Sequence, residues 1–334
     1  MKKVKIIAEA GVNHNGSVAT AIELIDAAAA AGADYVKFQT FKAENLVTPS
    51  AKKAVYQIQN TGEADVQYDM LKKLELSFED FRSLKAHCDK RQIKFISTPF
   101  DHESIHFLNS LGMDFFKVPS GEITNYLYLQ EIASTGKAVI LSTGMCTMEE
   151  VIAAVQIFRS KGYGAHNLTV LHCTTEYPAP FDEINLNVLD TMRKSLDLPI
   201  GYSDHSAGIE ISLAAAALGA VIIEKHFTLD RSLPGPDHKA SIEPHDLKLM
   251  IDSIKNITIA LGSKIKAPTS HELSNLSVAR KSLVAIRPIK KGEILTIQNV
   301  GAKRPGNGLS PMLWPTLEGK PAAGDFSQNE LITL

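Results

Sequence analysis

The sequence predicts a (β/α)8 TIM barrel followed by a small C-terminal β-rich domain. Eight short β-rich runs alternate with helix-like stretches over about 260 residues, the usual size of such a barrel. Most runs are nearly continuous in apolar residues, as parallel strands covered on the outside are. After residue 262 the alternation stops and turn signals crowd together. A doubly wound open sheet shares the alternation. The count of eight, and the lack of a G-x-G-x-x-G turn after the first run, argue against it.

The runs are 4–8, 35–40, 94–98, 115–119, 138–143, 168–173, 200–203 and 221–226. Residues 18–31, rich in Ala, Ile and Leu, read as a helix ended by Gly32. Thr147-x-x-Glu150 reads as a capping box opening a helix with Val151, Val155 and Phe158 on its apolar face. Further helices are expected at 213–218, ending at Gly219, and at 247–261, between Pro244 and Gly262. The connection after the second run, 41–76, has the length of a lid or binding loop, and 64–74 within it is expected to be helical. The barrel is assigned to 1–262, a polar linker containing Pro268 to 263–279, and the small domain to 280–334. That domain carries strand-like runs at 282–286 and 294–297, with turn signals at Lys291-Gly292, Pro305-Gly306 and Asn307-Gly308. At about 55 residues it is marginal by itself, and docking on another surface would stabilise it.

Composition excludes several classes of function. A formal net charge of -2 favours neither a nucleic-acid nor a membrane partner. The pairs Lys2-Lys3 and Lys290-Lys291 read as solvated surface, and the apolar stretch 214–217 is too short to span a bilayer. Cys88, Cys146 and Cys173 form no C-x-x-C pair, so neither a zinc ribbon nor a disulfide framework is indicated. Met1-Lys2-Lys3 leads into a strand without the apolar run of a signal peptide, and a cytoplasmic setting is expected.

Every run ends in chemistry. Glu9 ends the first, Lys37 and Gln39 lie in the second, Thr98 follows Ser97 in the third, and Lys117 precedes Ser120 at the fourth. Ser142-Thr143 ends the fifth, His172-Cys173-Thr174-Thr175 the sixth and Ser203-Asp204-His205 the seventh; Glu224 and His226 lie in the eighth. In a barrel these ends form the active-site face. Side chains two apart on a strand point the same way, so Lys37 with Gln39, Ser203 with His205, and Glu224 with His226 can each face the lumen. His205 and His226, on adjacent strands, suggest a divalent metal. Imidazole suits zinc, iron, copper or nickel, and with oxygen ligands also manganese or cobalt. His14, His172 and His238 are weaker candidates. Lys37 and Lys117, with Thr98, Ser120, Ser142 and Ser203, form an anion cradle of two ammonium groups and four hydroxyls.

At these residues the chain resembles the sialic acid synthase family, the N-acetylneuraminate and legionaminate synthases. The motifs are Ala8-Glu9-Ala10-Gly11-Val12-Asn13-His14-Asn15-Gly16, Val36-Lys37-Phe38-Gln39, Ser97-Thr98-Pro99-Phe100 and Lys117-Val118-Pro119-Ser120-Gly121-Glu122. Leu141-Ser142-Thr143-Gly144-Met145, Thr174-Thr175-Glu176-Tyr177-Pro178, Gly201-Tyr202-Ser203-Asp204-His205, Ile223-Glu224-Lys225-His226-Phe227 and Gly235-Pro236-Asp237-His238 complete the barrel set. Arg280-Lys281-Ser282, Lys291-Gly292-Glu293 and Lys303-Arg304-Pro305-Gly306-Asn307-Gly308 match in the small domain. The resemblance implies an antifreeze-like (SAF) domain at the C-terminus and a domain-swapped homodimer in which that domain caps the partner's barrel. It implies a divalent cation, most often Mn2+, with Mg2+ or Co2+ as alternatives, held by His205 and His226. Phosphoenolpyruvate would meet Lys37, Thr98, Lys117, Ser120, Ser142, Ser203 and Glu224. A mannosamine-derived sugar would meet Gln39, Tyr177 and Asp237, with Arg304 supplied across the dimer, and Glu9 is implied as an acid/base or orienting group. Some relatives carry Asn where this chain has Thr175, so substrate contacts there are expected to differ. The run 172–180 looks more like the legionaminate synthases. A pyruvate aldolase or isomerase on the same barrel, a Schiff-base enzyme using Lys37 or Lys117, and a non-catalytic carbohydrate- or ice-binding protein are the rival readings.

Overall fold

The computed structural model describes residues 3–62 and 66–334. The chain divides into two compact units, Met1–Gly262 and Ser263–Leu334.

In the first unit eight strands pair in parallel in the order β3-β2-β1-β8-β7-β6-β5-β4. They are β1 (Lys5–Gly11), β2 (Tyr35–Thr40), β3 (Lys94–Pro99), β4 (Phe115–Val118), β5 (Ala138–Ser142), β6 (Leu168–His172), β7 (Ile200–Asp204) and β8 (Ile222–His226). The second predicted run coincides with β2, and the other seven differ from their strands by at most three residues at an end. Among the described residues β3 and β4 lie side by side without a ladder. There the backbone N–H of Ser97 donates to Met113 Sδ at 3.3 Å, which satisfies it in place of a strand carbonyl. The result is a nearly closed TIM-type barrel.

The helices form where local chemistry places them. Helix Val18–Ala31 is capped by the Ser17 side chain and ends at Gly32, whose φ of 86° only glycine adopts without cost. The capping box at Thr147 forms and opens Met148–Arg159. Pro244 takes the first turn of Pro244–Ala260, where its missing N–H would have had no partner. Helix Glu210–Ala217 begins three residues before its predicted start. One continuous core runs between the strands' outer faces and these helices.

The 41–76 connection is not a loop. It holds three helices, Ala43–Leu46, Val55–Thr61 and Gln67–Leu74. Residue 64, where a helix was expected to begin, lies outside the described residues, as does Lys2. The helices gather Val12, Phe41, Met70 and Leu74 into a separate small buried cluster.

The second unit opens with a helix, Ser270–Ala279, where the sequence was read as linker. Its Thr269/Glu272 capping box satisfies the first turn, and Gly306 N–H donates to Ser277 O at 2.7 Å. β9 (Ser282–Ala285) pairs antiparallel with β10 (Val300–Lys303). The strand expected at 294–297 is a single bridge from Ile294 to Pro321. Leu295 is instead spent on the unit's core, with Leu283, Ile289, Val300, Leu317, Phe326 and Ile332.

Candidate active site

The carboxyl ends of the strands enclose a cavity of about 300 Å³. Fourteen of the barrel residues singled out above line it, Glu9, Lys37, Gln39, Thr98, Lys117, Ser120, Ser142, Thr175, Tyr177, Ser203, His205, Glu224, His226 and Asp237, while the weaker metal candidates His14, His172 and His238 do not. Strand alternation explains the convergence. Ser203 and His205 point inward from the end of β7, and Glu224 and His226 inward from β8. Asp204 and Lys225, between them, point outward and pair at 2.9 Å. At β1 the register with β2 slips between Glu9 and Gly11. Gly11 sits at φ 55°, and a Cβ there would lie 3.3 Å from both Glu9 Oε1 and Gln39 Nε2. The bulge thus aims Glu9 into the lumen and brings the backbone close behind it.

The floor is a network of buried charge. Lys37 Nζ lies 2.9 Å from Glu9 Oε2 and 3.6 Å from Glu224 Oε2, and donates to Thr98 Oγ1 at 3.2 Å. Lys117 Nζ lies 3.3 Å from Glu224 Oε1, which also accepts from Ser203 Oγ at 2.9 Å. Burial pushes Glu9 up, to about 7, against the pull of Lys37. The same burial acts on Glu224, but Lys117, Lys37 and the Ser203 hydroxyl outweigh it and hold that carboxyl well below its ordinary value. Desolvation pulls Lys37 down, yet Glu224 and Glu9 together raise it. Lys117, with less compensation, is lowered by desolvation. The hydroxyls of Ser142 and Thr175 are buried without hydrogen-bond partners. Idle buried donors beside two ammonium groups are what an anionic ligand would satisfy.

Above the floor stand the imidazoles of His205 and His226, ring centroids 5.4 Å apart. His205 Nδ1 lies 2.6 Å from the Thr174 carbonyl, which can only accept, so Nδ1 carries the proton and Nε2 keeps its lone pair. Burial holds both rings neutral, His205 at about 4 and His226 well below its ordinary value. His226 Nδ1 is buried without a partner. Two neutral imidazoles lining one cavity, one of them with an unpartnered buried nitrogen, fit a divalent cation. Among the described residues no cluster of three or more His, Cys, Asp or Glu could hold one, so a cation would draw its remaining ligands from substrate and water.

The weaker candidates His14, His172 and His238 each bond to scaffold groups away from this pair. His172 Nε2 is bonded to Ile184 O at 2.7 Å, His238 Nδ1 to Thr228 Oγ1 at 2.7 Å, and His14 Nδ1 accepts from Gly16 N–H at 3.0 Å. Thr143 donates to Leu171 O, and Ser97 pairs with Thr40, both away from the cavity. Arg304 belongs to the second unit, where it is exposed and its Nε donates to Ala279 O at 3.0 Å. Tyr177 lies over His205 with centroids 4.3 Å apart, and Tyr56 lies 5.0 Å beyond it. Asp237 closes another side, raised to about 6 by burial. Sequence reasoning missed Tyr56, Gln57, Gln67, Leu46, Val47 and Leu71, which also line the cavity. The only signal for them was the length of the connection that carries them.

The NeuB family matches residues 24–266, and the SAF domain matches 280–334. An N,N'-diacetyllegionaminic acid synthase of Campylobacter jejuni is 51% identical over 332 residues, 99% of each chain. Another, from Legionella pneumophila, is 47% identical over 92% of this chain and 86% of its own. The crystal structure of N-acetylneuraminic acid synthetase from Leptospira borgpetersenii, in complex with citrate, matches with a TM-score of 0.72 at 36% identity, over 82% of this chain and 90% of that one.

Proposed function

This chain belongs to the NeuB family, and on that premise we propose that it is a phosphoenolpyruvate-dependent nonulosonate synthase, a transferase of sialic and legionaminic acid biosynthesis. It condenses phosphoenolpyruvate with an N-acetylmannosamine-type sugar and releases phosphate by C–O cleavage. The sugar of its own reaction is the 2,4-diacetamido-2,4,6-trideoxy mannose that leads to N,N'-diacetyllegionaminate, which the two synthases of that name support. The observation that carries the reaction is the convergence of Lys37 and Lys117 on Glu224, with idle hydroxyls around them, directly below two neutral imidazoles.

Lys37 and Lys117 hold the anionic donor and balance the charge of the departing phosphate. As the donor's methylene carbon attacks the sugar aldehyde, positive character develops at the neighbouring carbon, and the ionised Glu224 stabilises it. The aldehyde oxygen takes up a proton from solvent as the C–C bond forms, water adds at the neighbouring carbon, and the adduct then expels phosphate by C–O cleavage to leave the ketone. Glu9, poised near neutrality, takes the proton of the adding water. Gln39, Tyr177 and Asp237 orient the sugar chain. His205 and His226 would hold a divalent cation, Mn2+ before Mg2+ or Co2+, which when bound supplies Lewis-acid polarisation of the aldehyde oxygen. Lys37 stays protonated between two carboxylates, which disfavours it as a Schiff-base nucleophile.

The working unit is a domain-swapped homodimer in which the SAF unit of one protomer caps the partner's barrel. Arg304, tethered at Nε with the rest of its guanidinium exposed, would reach the sugar's acyl group. The setting is the cytoplasm, which suits three free cysteines; among the described residues no helix is long and apolar enough to cross a membrane. The test is phosphate release from phosphoenolpyruvate with sugar and Mn2+. His205→Ala or His226→Ala should lose most turnover and the calorimetric signal of Mn2+ binding; near-normal rates in both variants would remove the metal from the reaction.

A further inference from the structure

Helix Val55–Thr61, in the 41–76 connection, has no fully buried residue, so its seat is not set by a core. Two long-range contacts reach from it instead. Tyr56, in its first turn, packs its ring with centroid 5.0 Å from that of Tyr177, in the loop after β6. Asn60, one turn on, donates from Nδ2 to the Pro236 carbonyl at 2.7 Å, in the loop after β8. Residues four apart share a helix face, so one face bridges the two loops that carry Tyr177 and Asp237. Lys53 closes the helix's far end, donating to Thr61 Oγ1 at 3.1 Å and to Gly62 O at 2.8 Å.

We propose that Asn60 and Tyr56 are positioning residues for the acceptor sugar: they hold the Tyr177 and Asp237 loops at the separation that the sugar needs. The proposal rests on the synthase reading, in which those two side chains orient the sugar. Among the described residues Tyr56 lines the cavity and Asn60 does not. Any effect of Asn60 on the sugar must therefore pass through the Pro236–Asp237 loop or through the seat of Tyr56. That loop has other tethers. Asn15 Nδ2 donates to Pro234 O at 2.8 Å, and Ser241 Oγ donates to Asp237 O at 2.7 Å. Loss of Asn60 therefore loosens the loop without releasing it. The phosphoenolpyruvate cradle is built differently: Lys37, Thr98, Lys117 and Ser203 stand on strands β2, β3, β4 and β7. The helix thus acts on one substrate and not on the other. The sugar binds well only to the fraction of molecules in which the helix is seated, and its apparent affinity falls with that fraction. One hydrogen bond or one aromatic pair shifts such an equilibrium by roughly two- to tenfold.

The test is steady-state phosphate release with 2,4-diacetamido-2,4,6-trideoxymannose as acceptor. Asn60→Leu keeps the side chain's size and favours the helix but cannot donate to Pro236 O. It should raise KM for the sugar roughly 3- to 10-fold, with KM for phosphoenolpyruvate staying within about twofold of the native value. Tyr56→Leu should split the two constants in the same way, through Tyr177. Asn60→Ala, a smaller change, takes the place of the first variant should that one fold poorly. A sugar KM unmoved at both positions, or a phosphoenolpyruvate KM that rises in step with it, overturns the inference and leaves the synthase reading standing. No phosphate release from the native chain with this sugar or with 2-acetamido-mannose removes the synthase reading, and the helix's role with it.

Discussion

The ion pair behind the two imidazoles gives the sharpest test of how the barrel holds its site. Asp204 and Lys225 are fully buried and paired at 2.9 Å, across the β7–β8 ladder that aligns them. Asp204 also accepts from Ser206 N–H, Ser206 Oγ and Ser212 Oγ, and Lys225 donates to Ser206 O at 2.7 Å. Lys225→Met would strand a buried carboxylate. Removing one partner of such a pair costs about 3–5 kcal/mol, and three surviving hydrogen bonds place this case near 3. Asp204→Asn combined with Lys225→Met removes both charges, leaving chiefly the Ser206 carbonyl without its donor, so the double variant should cost only about 1–2 kcal/mol. Urea unfolding followed by circular dichroism measures this, and with an m-value of about 3 kcal/mol/M or more for a unit of this size the single change should lower the midpoint by roughly 0.5–1 M. Trp314, the only tryptophan, lies in the second unit, so its fluorescence follows that unit separately. A single variant within about 1 kcal/mol of the native protein, or a double no better than the single, would refute the reasoning.

Gly144→Ala should fold yet bind phosphoenolpyruvate poorly. A Cβ there would lie 2.1 Å from Thr175 Oγ1 and 2.9 Å from Ser120 Oγ, and an unchanged KM would contradict the placing of those hydroxyls. Lys37→Met should lower kcat/KM by roughly 10²–10³-fold, since it removes the charge between Glu9 and Glu224; a loss below tenfold in steady-state assays would argue against the anion cradle. His14 is buried and held neutral, at about 4 against an ordinary 6.5. The unfolded chain therefore takes up that proton first, and His14's contribution is complete above about pH 6.5 and lost as the pH falls towards 4. His14→Asn keeps an acceptor for Gly16 N–H and should flatten the stability profile, by about 2 kcal/mol between pH 7 and pH 5; parallel profiles for the two proteins would exclude it.

The alternation of strand and helix was legible because each element is written locally. Gly32 and Gly219 end helices through their own backbone freedom, and Thr147 with Glu150 caps one through bonds three residues apart. The site residues were legible for a related reason. Strand ends of a barrel share one face, so a polar residue at the end of each run reaches the same cavity wherever it lies in the chain. The second unit was less so. Thr269 and Glu272 form a capping box as clear as the one at Thr147, yet Pro268 and the polar composition masked it as linker.

The sequence by itself determined the barrel, the floor of lysines and carboxylates, and the pair of imidazoles, because strand period and strand end specify direction without knowledge of neighbours. The tertiary structure alone decided the place of Leu46, Val47 and Leu71 in the cavity, the meeting of Tyr56 with Tyr177, and the depressed Glu224 beside a raised Glu9. Those depend on through-space packing and on how much water each charge has lost, and neither quantity is carried by residue order.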